Sequence, residues 1–208
     1  MFGMIKKDLF TFKNNLKSII IMLLLYFFYT ITLDMNMTFL LPFMTLMIVI
    51  TVFNYDDYNN WHSYASSFPQ GKVNVVKARY ILLVSLVIIS TIIGILLTLI
   101  ISQFKTTLSI DESIGSALGT VVGISFMASI LFPILFKYGS EKGRIAMISM
   151  GLIIACIIYI LSKVVKIDFA LLPTPDIYTT IAIVIVLSAI MLSISYLISK
   201  KIYLKKEF

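Results

Sequence analysis

The sequence predicts an all-α polytopic membrane protein with six transmembrane helices, and three observations predict it. Of its 208 residues, 60% are hydrophobic and 13% charged, where ordinary soluble domains have roughly 45–50% and roughly 25%. Six apolar runs reach or approach the roughly 20 residues a helix needs to cross the hydrocarbon: 18–33, 37–53, 80–102, 114–136, 145–161 and 177–199. The segments between them alternate in charge, with fourteen Lys and Arg on one side and three on the other, the asymmetry that sets membrane orientation. Disorder is excluded, because it needs low hydrophobicity and high charge. A single cysteine, Cys156, excludes an internal disulfide framework. A β-barrel would need ten-residue runs alternating apolar and polar, roughly. Residues 81–101 do not alternate.

Residues 1–17 come first. Phe2, Ile5, Leu9, Phe12 and Leu16 recur at three- and four-residue steps, and Lys6, Lys13 and Lys17 fall on the other side. This pattern predicts an amphipathic helix lying in the membrane interface, with lipid as its partner. The first span is short, and Lys17 can snorkel at its end. Its basic start resembles a signal peptide, but Thr32-Leu33-Asp34-Met35 offers no small-x-small cleavage site, so it is read as uncleaved. Tyr26, Phe27 and Tyr29 cluster within it as candidates to line a substrate cavity. The second span carries Pro42 in its first turns, where a missing N–H is tolerated.

The segment 54–79 is the one stretch that does not read as membrane. Tyr58, Trp61, Ala65 and Phe68 step by three, four and three, which predicts one face of a short helix. Asp56 and Asp57 suit its N-terminus, and Pro69 and Gly71 should stop it. Its helix propensity is poor, so a surface must order it. The lipid interface and a groove on a partner protein both fit.

The third span follows at Tyr80. The fourth opens with Gly115, Gly119 and Gly123, a groove that lets another helix approach closely. That helix belongs to this chain or to another subunit. Pro133 suggests a kink. The loop 137–144 leads to the fifth span. The segment 162–176, with Pro173 and Pro175, leads to the sixth, and a tail, 200–208, adds four lysines. Both termini are expected in the cytoplasm.

No charged residue lies in the middle of an expected span. Retained charges at that depth usually mark ion or proton pathways, so coupling to an ion gradient is not expected. Catalysis finds no support. His62 is the only histidine, Ser125 has no base at its depth, and Cys156 in apolar surroundings should stay an inert thiol. No metal-ligand spacing occurs. Gly71-Lys72 is followed by Val73 and preceded by Ser66 where a P-loop needs glycine, so ATP and Mg would be bound by another subunit. The net charge of +7 is spread between apolar runs, which gives no nucleic-acid footprint.

Taken together, the six-span layout and the second loop resemble the permease subunits of type-2 ABC exporters (the ABC-2 family). The nearest branch holds the small permeases of low-GC Gram-positive bacteria that export phenol-soluble modulins. The resemblance rests on Asp57, Trp61 with Tyr64, Ser67-Phe68-Pro69, Lys72, and Lys77 with Arg79-Tyr80. It implies that Asp56–Phe68 is a coupling helix docking on a separate ABC ATPase subunit. Asp56, Asp57, Tyr58, Trp61, His62, Tyr64, Phe68 and Lys72 would take part, with Glu141 in a smaller second contact. It also implies a second permease copy or paralogue, and the apolar, aromatic spans suit an amphipathic peptide cargo. The short segment 162–176 departs from the family's external helical insertion. Two other readings stay open: the substrate-capture subunit of a vitamin-uptake transporter, and a non-transporting membrane scaffold or immunity protein.

Overall fold

The computed structural model describes residues 3–4, 6–8, 10, 17, 20–21, 24–25, 28, 40–68, 71–102, 110–164 and 177–206. Among them all regular structure is helical. Helix α1 is Leu40–Tyr58, α2 Trp61–Ser66, α3 Gly71–Ser102, α4 Ile110–Tyr138, α5 Ser140–Val164 and α6 Ile177–Leu204. Residues 3–4, 6–8 and 10 are helical too.

Helix α1 contains most of the expected second span but continues past it. Asp56 and Asp57 therefore close α1 rather than opening the loop helix, which corrects the expectation from sequence. The break falls at Asn59-Asn60. Asn60 takes φ 50°, ψ 32°, a left-handed conformation that asparagine tolerates better than most residues. The loop helix shrinks to the single short α2. Helix α3 runs from Gly71 through Lys72–Arg79 straight into the third span. Helix α4 passes through Pro133 without ending.

Among the described residues, three helical stretches are long and apolar enough to cross a membrane: Gly71–Ile100, Ile114–Tyr138 and Thr179–Leu204. They contain the expected fourth span and all but two residues each of the expected third and sixth. The expected fifth span lies within α5, whose first turns carry Glu141, Lys142 and Arg144. The expected first span lies outside the described residues except for Ile20, Ile21, Leu24, Leu25 and Phe28, which are helical and exposed.

Helix α4 runs along α6, while α1 packs on α3. The tightest burial gathers at one end of the bundle. Val49 and Phe53 of α1, Val76 and Leu83 of α3, Phe132 and Phe136 of α4 and Tyr203 of α6 are almost wholly buried. Their rings pack edge to face: Phe53 lies 5.0 Å from Phe136, Tyr80 lies 4.8 Å from Phe132, and Phe136 lies 5.2 Å from Tyr203. Lipid tails are as apolar as these side chains, so burial alone gives helices little reason to associate in a membrane. Ring contacts of this geometry add about 0.5–1.5 kcal/mol each. They hold together the end of the bundle that also carries the lysines and arginines of 72–79, 137–144 and 200–206. Away from that end, α3, α5 and α6 expose isoleucine and leucine, as with Ile92, Leu152 and Ile183, a surface suited to lipid.

Candidate functional site

At the basic end, Arg79 sits in the third turn of α3 with 1% exposure. A buried guanidinium must be paired, since an unpaired charge away from water is very costly. Two carboxylates answer it. One Nη hydrogen-bonds Asp56 of α1, and the other lies 3.0 Å from Asp8 Oδ2. Lys7 Nζ closes the ring, bonding the second oxygen of Asp56 and lying 3.2 Å from Asp8 Oδ1. The cluster is formally neutral, two cations alternating with two anions. Burial pushes the Asp8 carboxyl above its ordinary range, more than Arg79 and Lys7 pull it down. Lys7 also stands 4.4 Å from the Trp61 ring centroid, and Arg79 5.0 Å from that of Phe53. The N-terminal segment, α1, α2 and α3 thus meet through one set of charges.

A second chain of contacts runs beside it. The Tyr203 hydroxyl of α6 lies 2.6 Å from His62 Nδ1 on α2. His62 Nε2 lies 3.0 Å from Asp57 Oδ1. Asp57 Oδ2 accepts the Ser140 backbone N–H at 2.7 Å, and so caps the N-terminus of α5 from another helix. A neutral His62 satisfies the chain when Nε2–H donates to Asp57 and Nδ1 accepts from Tyr203. Burial alone would raise the Asp57 pKa, but the bonds from His62 and Ser140 outweigh it and hold the carboxylate at about 2. Gly139 makes this approach possible. Its φ is +83°, and a Cβ there would lie 3.3 Å from Asp57 Oδ2. Farther along, Tyr80 bonds Ser195 and Ser199 of α6. Lys72 donates to the Lys206 carbonyl at 2.7 Å.

These contacts fix the back of α2. Ala65 is completely buried, and a Cβ on Gly71 would come within 1.8 Å of the Ala65 carbonyl oxygen. Gly71 is therefore the point where α3 starts hard against the end of α2, not only a stop signal. The front is open, with Tyr58 86%, Tyr64 58% and Phe68 47% exposed. Tyr64 packs edge-on against Phe68 at 5.1 Å and lies 5.2 Å from Trp61. The face expected from periodicity is divided, with Ala65 inside, Trp61 half-buried, and Tyr58 and Phe68 outside. At the end of α4, Tyr138 is exposed with Lys137 and Lys142 over its ring, and Glu141 is exposed.

The candidates from sequence separate into groups. Asp56, Asp57, His62 and Lys72 belong to the internal network. Tyr58, Tyr64, Phe68 and Glu141 lie on the surface, and Trp61 lies between. Gly115, Gly119 and Gly123 share a face of α4, and a Cβ on any of them would meet nothing within 4 Å. The packing of that face on another helix of this chain has no counterpart among the described residues. Tyr26, Phe27 and Tyr29 lie outside the described residues. The sequence assigned no site role to Lys7 and Asp8, offered Arg79 only as part of the Arg79-Tyr80 pair that carries the resemblance, and gave no sign of Tyr203. One signal was available: Asp8 is the single acid in a basic N-terminal helix.

The family model described as "ABC-2 family transporter protein" matches residues 3–204. No curated protein and no solved structure matches the chain.

Proposed function

The chain belongs to the ABC-2 transporter family, and from that premise we propose that it is the membrane-spanning permease subunit of an ATP-driven exporter, with α2 as the helix that receives the motion of a separate ABC ATPase. The observation that carries the proposal is the two-sided character of α2. Its back is tied by side chains to the N-terminal segment, α1 and α6 and abuts the start of α3, while Tyr64 on its front and Tyr58 and Phe68 at its flanks are exposed aromatic rings. Exposed, clustered aromatics are the usual anchors of protein–protein contacts. A displacement of α2 would pull on Asp57, and so on the start of α5, and on the Lys7–Asp56–Arg79 cluster that holds α1 and α3. The reading includes six spans with both termini in the cytoplasm, with α2, the α4–α5 turn at Gly139 and the tail on the ATPase side. ATP and Mg are bound by that partner, and a second permease copy or paralogue completes the pathway. The cargo that fits an apolar, aromatic conduit is an amphipathic peptide of the phenol-soluble modulin or antimicrobial type, exported from a Gram-positive cell.

The test is purification of the chain together with the products of its neighbouring genes, from which a P-loop ATPase should be recovered bound to it. Replacing Tyr58, Tyr64 and Phe68 together by alanine should release the ATPase and abolish ATP-dependent peptide export, while the permease stays folded. Unchanged ATPase recovery and export in that variant would refute the role of α2.

A further inference from the structure

Between α3, α4 and α6 the bundle leaves a laterally open cavity of about 810 Å³. It exists because α6 lines it with Ser188, Ala189 and Ser193, side chains too short to reach α3. The rest of the wall is aliphatic, as with Val84, Ile88, Val121, Ile185 and Leu192, and no described charged residue lines it. The hydroxyls offer little to a polar guest. Ser85 and Ser125 donate to carbonyls of their own helices. Ser188 adds one buried hydroxyl without a partner, too little to repay the desolvation of a sugar or an ion.

Depth and charge narrow the occupant further. The Tyr80 and Tyr196 rings, 5.5 Å apart, stand at the cavity's end toward the basic end of the bundle. From Leu197 back to Ile185, the stretch of α6 that lines the cavity, the helix rises about 18 Å, roughly six-tenths of the ~30 Å hydrocarbon thickness, so the cavity is slightly deeper than one leaflet. Its wall positions then continue as lysines. Lys77 lies four residues before Ile81 on α3. Lys200 and Lys201 lie four residues after Tyr196 and Leu197 on α6. Residues four apart share a helix face, so all three lysines stand one turn beyond the mouth, at the level of lipid headgroups. Lys77 and Lys201 are exposed, and Lys200 is partly so.

We propose that this cavity holds an acyl chain of one anionic phospholipid, with its phosphate met by Lys77, Lys200 and Lys201. Basic pockets between transmembrane helices bind anionic headgroups in this way. The inference needs only that the chain lies in a membrane, and it is independent of the role given to α2.

The test is native mass spectrometry of the full-length chain released from detergent micelles containing phosphatidylglycerol or phosphatidylcholine with the same acyl chains. The wild type should retain one phosphatidylglycerol per chain, at least tenfold over phosphatidylcholine. The Lys77→Gln/Lys200→Gln/Lys201→Gln variant should fall to the phosphatidylcholine level, while Lys137→Gln/Lys142→Gln should match the wild type. Ala189→Trp, at an exposed position, fills the hollow and should abolish retention with every lysine in place. Unchanged phosphatidylglycerol retention in the triple variant or in Ala189→Trp would overturn the proposal. So would an amphipathic peptide that occupies wild type and triple variant alike with no phospholipid retained, which would give the hollow to a cargo. ATPase co-purification with the same variants separates failure of this site from failure of the permease reading.

Discussion

Arg79 shows how much one residue can decide. Two buried carboxylates, Asp8 and Asp56, face its guanidinium. Arg79→Met should leave them without their main counter-charge and cost about 3–5 kcal/mol, the usual penalty for breaking a buried pair from one side. Thermal unfolding in detergent would read the loss, and adding Asp56→Asn in the same chain should recover part of it. Asp57 makes a pH-dependent contribution of known sign. Its folded-state pKa of about 2 lies below the ordinary 3.8. Its stabilisation is therefore complete above about pH 4 and lost as the pH falls toward about 2. With the side chain 31% exposed, screening by water should keep the effect to about 1 kcal/mol. The difference in Tm between wild type and Asp57→Asn should be present at neutral pH and vanish at the acid end. Asp8 runs the other way. Its raised pKa means that the charged form is disfavoured in the folded state, so its protonation favours folding as the pH falls.

Among the elements, two turns decide where α2 and α5 stand. Gly139 holds the α4–α5 turn at φ +83°. Gly139→Ala should cost about 1–2 kcal/mol from backbone strain and crowd Asp57 as well, lowering Tm. Gly71→Ala places a methyl carbon 1.8 Å from the Ala65 carbonyl oxygen, a backbone atom, so α2 must move. Its expected signature is retained helix content by circular dichroism with loss of ATPase-coupled export. Periodicity found α2 but misjudged its extent. The reason is physical. The three- and four-residue steps of Tyr58, Trp61, Ala65 and Phe68 assume one continuous helix, and the left-handed Asn60 breaks it in the middle. The Asn59-Asn60 pair was the local signal, since asparagine is a poor helix former that enters the left-handed region readily, but the apolar steps run across it.

Across the whole molecule, the glycine face of α4 is open on this chain. Gly119→Ala should leave the thermal stability of the isolated permease unchanged or raise it by up to about 1 kcal/mol, since the added methyl meets nothing within 4 Å. A fall in Tm would instead place a helix of the same chain against that face. The composition and the apolar runs made the membrane class and the third, fourth and sixth spans legible, because length and hydropathy are properties of each segment taken alone. The second loop stood out in the sequence for a similar reason: polar and aromatic side chains are conspicuous in an apolar chain.

What the sequence determined by itself is therefore the solvent in which the chain lives: a 60% hydrophobic chain divided into long runs has to place its backbone in helices within lipid. What only the tertiary structure decided is which charges meet. Lys7, Asp8, Asp56 and Arg79 are spread over some seventy residues, and no local spacing brings them together. Folding does so because the buried Arg79 has to find its counter-ions at the same end of the bundle. The walls of the cavity between α3, α4 and α6 likewise meet only once those helices are packed side by side.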